Sequence, residues 1–404
     1  MARINRASLE GILRTFFVAI DSIASKTFGL ALLPVAAIFH HYGFRCLSFR
    51  IDRIGHLAAE PDCFLKSHIL ANDLNQKRYF LLAPKTKVVN LTMLEYWRPY
   101  FQIIESPTFC WILDAMSQWR LMTEDTKKYI LRLGKSQLIY PINNSWKGRQ
   151  PLLQVSSVDR AWSDEMFRAI GIPQNSWFVC VHVREAGYSP RDESVHSYRN
   201  SDPHVLYSAI AEIFKRGGWC VRMGDPSMTP MEPREGLIDY AHHYLRSPRL
   251  DILLCARARF FLGNTSGLSL VSSVFGVPSA LANLAPMSMR AFLPSDIGIP
   301  KLLQEKATGR MLSFREIFSS PLAEFRYSFL YQSIGVSLIE NTSEEISELV
   351  VQMLDQLDEL QFSDSESSEP EGYFYSLFRP GHYGYGSAAR IGSGFLRRHR
   401  ELLN

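Results

Sequence analysis

The sequence predicts an α/β protein built around a doubly wound parallel sheet, with a smaller α/β region before it. From about residue 175, short apolar runs alternate with helical segments, as they do in a sheet of parallel strands. Residues 44–60 resemble the opening of another such unit, with a strand, a glycine turn at 54–56 and the start of a helix. Polar residues collect directly behind the buried strands, where open α/β sheets bind their ligands.

Length and composition set the broad class. The 404 residues suffice for about two to three domains, and 46% apolar residues suffice for their cores. The formal net charge is +4, and no Lys/Arg run is dense enough for a nucleic-acid interface, so the mild basicity favours anionic ligands or a membrane surface. The six cysteines form no C-x-x-C pair, which predicts reduced, buried thiols in a cytosolic protein.

Residues 1–42 form a distinct first segment. Apolar residues recur at helical spacing from Leu9 to Ala24, and an apolar run from Phe28 to Phe39 follows. That run is shorter than the roughly 20 residues that span a bilayer. We expect an amphipathic helical segment lying on a membrane face. The alternative is an ordinary helix packed on the core.

The remaining elements are assigned in chain order. In the first half, "QKRYFLLAP" and "KVVN" suggest a further strand and turn, 97–113 is mixed, and a helix is expected over 123–133 with Thr123 as its N-cap. The second half predicts strands at 177–183, 219–224, 236–240, 259–263 and 278–282, with helices between them at 203–216, 251–256 and 267–275. Residues 343–404 are expected to form an acidic helix, the linker "SDSESSEPEG" and a basic tail.

Two stretches could bind a phosphate. In "FFLGNTSGLSLVSSVFGVP", small residues between a strand and a helix would let backbone N–H groups and the helix N-terminus approach an anion; otherwise they only aid packing. "VHVREAGYSPRDESVHSYRNSD" places Arg184 at a strand end and Arg199 after a loop that could close over a ligand, and Arg222 ends the next strand. Together they could clamp a diphosphate, or each could be an ion-pair or capping residue. Tyr198 is expected to pack, and Asp251 to cap a helix.

These motifs, together with "GGWCVRMGD", "DILLCARARF" and "FRIDRIGHLAAEPDCFL", resemble bacterial putative glycosyltransferases of polysaccharide and lipopolysaccharide clusters. The H-x-R segment also resembles fucosyltransferases of the GT-B type, which have two Rossmann-like domains facing a cleft. The resemblance implies an acceptor domain at 43–170 and a donor domain at 171–342. It implies that Arg184 holds the donor diphosphate and that Ser266 and Gly267 meet its phosphates. The full donor-binding set that we predict is His182, Arg184, His196, Arg199, Asn200, Arg222, Asn264, Thr265, Ser266 and Gly267.

The acceptor side is predicted from the turn Gly55-His56, which resembles a glycine-histidine turn of some GT-B enzymes. His56 is the candidate base, because its ordinary pKa lies near neutral pH, and Glu60 is a second candidate. No D-x-D motif lies at a strand end, so we expect no metal and no cofactor apart from the nucleotide-sugar donor.

The sequence therefore predicts a metal-independent glycosyltransferase that moves a sugar from a nucleotide sugar to a glycan or lipid-linked acceptor in surface polysaccharide biosynthesis. It would be peripheral, on the cytoplasmic face of the bacterial inner membrane, and would bind no nucleic acid. Two alternatives stay open. One is a nucleotide-sugar epimerase of the same architecture, and the other is a non-catalytic glycan-assembly protein.

Overall fold

The structure is a computed structural model, which describes residues 6–74, 77–131, 138–186, 190–358 and 369–404. Strands and helices alternate along most of this chain. The strands are β1 (Phe44–Leu47), β2 (Arg78–Leu82), β3 (Gln102–Ile104), β4 (Phe178–His182), β5 (Trp219–Arg222), β6 (Leu237–Ile238), β7 (Phe261–Gly263), β8 (Ser279–Leu284), β9 (Ile297–Pro300), β10 (Leu302–Glu305), β11 (Val336–Ile339) and β12 (Arg390–Ile391). The α-helices are α1 (Arg6–Ala31), α2 (Leu33–His41), α3 (Ile54–Leu70), α4 (Leu91–Tyr96), α5 (Pro107–Ser117), α6 (Ile139–Ser145), α7 (Ser157–Ala169), α8 (Pro190–His196), α9 (Tyr207–Lys215), α10 (Pro248–Arg257), α11 (Gly267–Val274), α12 (Phe314–Phe318), α13 (Ser328–Ser333), α14 (Ser343–Leu357), α15 (Glu369–Ser376) and α16 (Ser393–Arg398).

The first domain contains a small parallel sheet in the order β1-β2-β3. Phe44 pairs with Arg78 at one edge, and Phe80 pairs with Gln102 at the other. Strand β3 lies in the stretch for which the sequence predicted no clear element. The helix predicted over 123–133 is wrong where the structure describes it: Thr123 bridges Cys46, and only a 3-10 turn forms at Lys127–Tyr129. Residues 132–137 lie outside the described chain.

The second domain contains seven parallel strands in the order β12-β9-β8-β7-β4-β5-β6. The chain starts in the middle at β4, extends through β5 to β6 on one side, and then returns through β7 to β8 and β9 on the other. This is a doubly wound sheet, and its strand order reverses at β4. In such sheets the crevice at the carboxyl ends of the two strands flanking the reversal is the ligand site.

The chain after residue 343 belongs to this second domain. Helix α14 packs on α9, and Arg216 of the α9 end forms an ion pair with Asp355 at 2.5 Å. Strand β12 extends the large sheet by pairing Arg390 with Ile297. The tail, which we predicted as a separate unit, therefore contributes an edge strand, while most of the predicted linker lies outside the described residues.

Helices α1 and α2 lie against the first domain and are bent by 67° at the break between them. Gly29 packs on the carbonyl of Ala115, and the Trp111 indole donates a hydrogen bond to Asp21 at 3.1 Å. Within the described chain, no single helix is long and apolar enough to cross a membrane, but the bent pair Ala19–Ala31 and Leu33–His41 passes this test by length and composition together.

The two domains meet where α3 crosses α11. The contact depends on two glycines: a Cβ added to Gly55 would lie 2.9 Å from the Cα of Gly267. Such a short distance shows that the two helix N-termini touch through bare backbone. The cleft opens beside this contact, so the predicted α/β fold of two parallel-sheet domains facing a cleft, the GT-B class, is confirmed.

Candidate functional site

The candidate site is the interdomain cleft, with a cavity volume of about 1070 Å³. Its walls come from both domains. The first domain contributes the loop after β1, the start of α3 and the turn at 127–131. The second contributes the segments after β4, β5 and β7 and the start of α10. The cleft thus lies at the carboxyl ends of parallel strands, as the sequence predicted.

The first wall segment follows β4 and carries His182 and Arg184. His182 is 6% exposed, and its Nδ1 donates to the carbonyl of Met223 at 3.0 Å. Burial lowers the pKa of His182 to about 4, so the ring is neutral at pH 7 and its Nε2 is an acceptor. Arg184 is held by a hydrogen bond from its Nε to Oδ1 of Asn200 at 3.1 Å. Only Arg184 of this pair can bring positive charge to an anion.

The turn after β7 forms the second segment. Gly263 is required there because a Cβ would lie 1.9 Å from the His182 carbonyl. Ser266 is the N-cap of α11 and accepts from the N–H of Ser269 at 3.3 Å. The Arg199 guanidinium donates to the carbonyl and to the Oγ1 of Thr265. An arginine and a helix N-terminus are therefore fixed side by side, an arrangement suited to a diphosphate.

Three predicted residues lie behind the cleft wall. Asn264, 1% exposed, accepts from the N–H of Arg184 at 3.0 Å and donates to the carbonyl of Arg199 at 3.0 Å. Asn200 orients Arg184 and does not line the cleft. Arg222, 1% exposed, forms an ion pair with Glu185 at 2.5 Å and does not line the cleft either. Their contact with a donor stays a prediction; in the structure Asn264 and Asn200 hold the segments that carry Arg184 and Arg199.

His196 lies at the rim of the cleft. Its ring stacks on Tyr327, with centroids 5.9 Å apart and planes at 26°. Tyr198, 8% exposed, packs against Tyr331, as the packing interpretation predicted, although its edge also reaches the cleft. Tyr327 and its neighbour Arg326 line the cleft too, and no sequence pattern marked them. Residues 187–189, in the loop that we expected to close over the donor, lie outside the described chain.

The first domain supplies a histidine–carboxylate pair. His56 lies in the first turn of α3, and its Nδ1 is 2.5 Å from Oε1 of Glu60, one turn further along. Glu60 is fully buried and also accepts from the N–H groups of Arg50 at 3.3 Å and Leu131 at 3.0 Å. With Nδ1 donating to this carboxylate, Nε2 of His56 is left as the proton acceptor. Glu60 itself does not line the cleft, and its hydrogen bond places it behind His56; its role as a base stays a prediction.

Several charged lining residues were not predicted. Arg50, Arg53 and Lys127 line the first-domain wall. Asp251 lines the second-domain wall, and it is not the N-cap of α10, since Ser247 accepts from Leu250 N–H at that position. Burial raises the pKa of Asp251 to about 6. The helical spacing of α10 could have shown that Asp251 lies a turn beyond the cap, but nothing local placed it in a cleft.

Positive charge in the cleft comes from side chains and helix N-termini. Among the described residues, no group of three or more His, Cys, Asp or Glu side chains could hold a metal ion. Arg184 and Arg199 line the cleft beside the N-terminus of α11 and together could bind a diphosphate. The arrangement could thus bind a nucleoside diphosphate on one wall and present a base on the other.

The chain was compared with known proteins. No family model and no curated protein matches it. Similar solved structures include a glycosyl transferase of family 9 from Veillonella parvula, with 9% identity over 78% of this chain and 97% of that one and a TM-score of 0.44. Another is the dodecameric iron-containing heptosyltransferase TibC, from enterotoxigenic E. coli, in complex with ADP-D-beta-D-heptose, with 11% identity over 78% of each chain and a TM-score of 0.43. At such identities and TM-scores, neither assigns an activity to this chain.

Proposed function

We propose that the protein is a glycosyltransferase that uses a nucleotide sugar as donor and a glycan or a lipid-linked sugar as acceptor. The observation that carries the proposal is the pairing of His56–Glu60 on one wall with the cluster of Arg184, Arg199 and the α11 N-terminus on the other. Gly55 and Gly267 touch at the base of the cleft, so the base and the anion site are only a few residues apart along two contacting helices.

The proposed reaction starts with an acceptor hydroxyl within hydrogen-bond reach of His56 Nε2. The hydroxyl oxygen attacks the anomeric carbon, the bond from that carbon to the diphosphate oxygen breaks, and Nε2 takes the hydroxyl proton. Glu60 stabilises the imidazolium that forms. The departing diphosphate keeps the electron pair, and its charge is balanced by Arg184, Arg199 and the N–H groups at the start of α11. This balance requires no metal ion.

Membrane association is part of the proposal. Apolar side chains on α1 and α2 are exposed, among them Ile23 at 66%, Leu30 at 52% and Ile38 at 56%. Such side chains on a bent helix pair favour binding at the interface of a bilayer. We propose that this segment holds the enzyme at the cytoplasmic face of the bacterial inner membrane, where a lipid-linked acceptor for surface polysaccharide would be presented.

The test begins with donor binding. Thermal unfolding in the presence of UDP-, GDP-, CMP-, ADP- and dTDP-linked sugars should raise the midpoint for one nucleotide, because a ligand that binds only the folded state stabilises it. Arg184→Ala should weaken that binding by roughly 2–4 kcal/mol, the cost of removing one partner of a charge-assisted contact. The control is Arg168→Ala, on the exposed face of α7 outside the cleft.

Product analysis then distinguishes glycosyl transfer from epimerisation and from a non-catalytic role. Sugar transfer that requires an added acceptor and persists in EDTA would support the proposal. An isomerised nucleotide sugar formed from the donor alone would indicate an epimerase. Intact protein that binds none of the nucleotides would contradict the proposal and favour a non-catalytic role.

A further inference from the structure

Arg290 carries a buried charge at one end of the cleft. The residue lies between β8 and β9, lines the cleft and is only 3% exposed. Its three guanidinium nitrogens are buried, and none of them has a hydrogen-bond partner within the described residues. Burial lowers the pKa of Arg290, but a guanidinium still holds its proton at neutral pH. The side chain is therefore a cation whose hydrogen-bond donors are unused.

The acidic groups near Arg290 are engaged elsewhere. Glu371 is close enough to act on Arg290 through its charge. Its carboxylate, however, accepts from Arg390 at 3.3 Å and from the N–H of Ile391 at 3.2 Å. Asp296, which also lines the cleft, accepts from three backbone N–H groups. Neither carboxylate forms an ion pair with the Arg290 guanidinium.

Aromatic rings hold the guanidinium without satisfying it. Its Cζ lies 4.5 Å from the ring centre of Phe374, 4.9 Å from that of Phe378 and 5.8 Å from that of Tyr375. Ring faces attract a cation, but they are only weak acceptors for its N–H groups. The rings thus fix the charge in place and leave its capacity for charge-assisted hydrogen bonds to another molecule.

The backbone also fixes Arg290. Its N–H donates to the hydroxyl oxygen of Tyr140 at 3.3 Å, and that hydroxyl donates to the Arg290 carbonyl at 2.9 Å. Gly384 packs against the same segment, since an added Cβ would lie 2.2 Å from the carbonyl oxygen of Ser288 and 2.8 Å from Cγ of Arg290. The position of the cation therefore does not depend on a counter-ion. An anion that binds there would offset the cost of burying the charge and would find its partner already in place.

The order of the strands places Arg290 relative to the proposed diphosphate site. The order β8-β7-β4-β5 puts the end of β8 one strand, about 4.8 Å, beyond the β7 turn that precedes α11. The segment after β5 lies on the other side of that turn. A substrate whose diphosphate binds at the ends of β4 and β7 would thus have a second cation within the reach of a sugar ring.

This end of the cleft is also rich in aromatic side chains. Tyr140 and Tyr383 pack edge to face with their centroids 5.6 Å apart, and both line the cleft. Phe292, two residues after Arg290, lines it too. Apolar and aromatic walls with one fixed polar group are typical of sites for small organic molecules, and less typical of sites for a free inorganic ion.

We propose that Arg290 forms a second anion subsite of the cleft, which binds a carboxylate or phosphate group carried by a sugar substrate. This deepens the proposed function and rests on it for the nature of the ligand. Both groups present two oxygens in the geometry that the N–H edge of a guanidinium matches, and the anion would reach Arg290 from the cleft.

The experiment is calorimetric titration of the full chain with glucuronate, glucose 6-phosphate and the neutral methyl glucoside. Each titration is run on free protein and on protein saturated with the nucleoside diphosphate that binds best, which fills the diphosphate site. We expect at least one charged probe to bind in both states about tenfold more tightly than methyl glucoside. Preference for glucuronate would indicate a carboxylate, and preference for glucose 6-phosphate a phosphate.

Arg290→Met is the main variant, because methionine replaces the cation with a flexible apolar side chain. It should weaken the preferred charged probe by about tenfold, the loss expected when one charge-assisted contact is removed. Nucleoside diphosphate affinity should stay within about twofold, a change of less than 0.5 kcal/mol. Arg168→Met, at an exposed arginine outside the cleft, is the control for binding. Equal effects of the two variants on the charged probe would overturn the inference.

Thermal unfolding without ligand tests whether Arg290 instead serves only the fold. Removing a buried cation that has no hydrogen-bond partner should leave the midpoint unchanged or raise it. Arg222→Met is the matched control, since Arg222 is 1% exposed and pairs with Glu185 at 2.5 Å. That variant should lower the midpoint, because it leaves a carboxylate without its partner. An equal fall for Arg290→Met would overturn the inference.

Arg290→Lys gives a further check that keeps the charge beside the rings. An ammonium group lacks the planar pair of N–H donors, so this variant should bind the charged probe about fivefold less tightly than the wild type. Wild-type affinity in Arg290→Lys would contradict recognition by the guanidinium.

The remaining outcomes separate this inference from the proposed function. If a nucleoside diphosphate binds but no charged probe does so at millimolar concentration, the inference fails and the function stands. If methyl glucoside binds as tightly as the charged probes, the inference also fails. If no nucleotide binds but a charged probe still binds free protein in a way that requires Arg290, the proposed function fails and the anion subsite remains.

Discussion

At the residue scale, the pair of His56 and Glu60 shows how a buried carboxylate selects the form of a neighbouring imidazole. Glu60 accepts hydrogen bonds from two backbone N–H groups, and its Oε1 also accepts from Nδ1 of His56. That single hydrogen bond decides which ring nitrogen faces the cleft as an acceptor.

Glu60→Gln should therefore lower kcat by about 10²–10⁴-fold. Glutamine keeps an oxygen that can accept from Nδ1 of His56 but carries no charge, so the imidazolium that forms when Nε2 takes the proton loses its electrostatic stabilisation. Initial rates across pH 5–9 measure the effect, with donor binding as a control that should change little. A variant with the wild-type rate and pH profile would show that catalysis does not depend on the charge of Glu60.

Asp251 offers a second prediction at this scale. Because burial raises its pKa from 3.8 to about 6, the folded state holds a proton that the unfolded state releases between those values. The resulting stability is present below about pH 4 and is lost as pH rises through 6. Asp251→Asn, which cannot ionise, should therefore gain up to about 3 kcal/mol over the wild type at pH 7.5 and only about 1 kcal/mol at pH 4.5.

Urea unfolding at both pH values would measure this difference for Asp251→Asn. Asp125→Asn, at an exposed carboxylate of the first domain, is the control and should show no such pH-dependent gain. An equal effect at both pH values would mean that the substitution acts through packing instead of ionisation. A destabilising carboxylate in a cleft is the kind of feature that function retains.

At the element scale, the sequence predicted the second domain far better than the first. Strands β4, β5 and β7 were predicted within a few residues because each is a buried apolar run bounded by turn residues. The helix-start residues at Thr123 gave a wrong prediction because tertiary contacts outweigh local capping preferences. Thr126 donates to the carbonyl of Ser48, and Tyr129 is fully buried against Phe64. Those contacts hold a 3-10 turn where local capping chemistry predicted a helix.

The strand-end residues of the site could be predicted from the sequence, but the side chains that pair with them could not. Arg184 and Ser266 follow apolar strands, so their positions at the sheet edge could be inferred from the pattern. Whether an arginine at a strand end faces the cleft or its own domain depends on which carboxylate lies behind it. Arg222 forms its ion pair with Glu185 there, and that contact joins the end of β5 to the segment after β4. Arg50, Arg53 and Lys127 were missed as cleft residues for a related reason, since the fold of the first domain was not clear from the sequence.

The contact of α3 with α11 gives a prediction at the element scale. Gly267→Ala would place a Cβ 2.6 Å from Cγ2 of Ile54 and 3.0 Å from the backbone nitrogen of Gly55. We expect a loss of about 1–3 kcal/mol in the free energy of unfolding, as for other overpacked contacts. Ile54→Ala should recover part of the loss in the double variant, because it removes the nearer clash. Simple additivity of the two changes would contradict this contact.

At the scale of the whole molecule, the first domain has two unlike surfaces, the cleft wall lined by Arg50, Arg53 and Lys127 and the exposed apolar side chains of α1 and α2. The helices cannot simply be deleted to test membrane binding, because Ala36 is fully buried in a cluster with Cys46 and Phe80. Removing α2 would expose that cluster and destabilise the sheet. Exposed positions are the better probes, since substitutions there change little in the folded core.

Ile23→Ser/Leu30→Ser/Ile38→Ser should therefore reduce sedimentation with vesicles of anionic phospholipid by at least tenfold, while the thermal midpoint stays within a few degrees. Each change removes apolar area that would otherwise be buried at the bilayer interface, and at about 25 cal/mol per Å² three large side chains supply enough free energy to decide binding. Val158→Ser/Ile334→Ser removes exposed apolar side chains from α7 and from the position after α13, and is the control. If the triple variant sediments as the wild type does, another surface must hold the protein on the membrane. The basic residues of α16, Arg397 and Arg398, would then be the next to substitute, because they would add an electrostatic attraction that high salt removes.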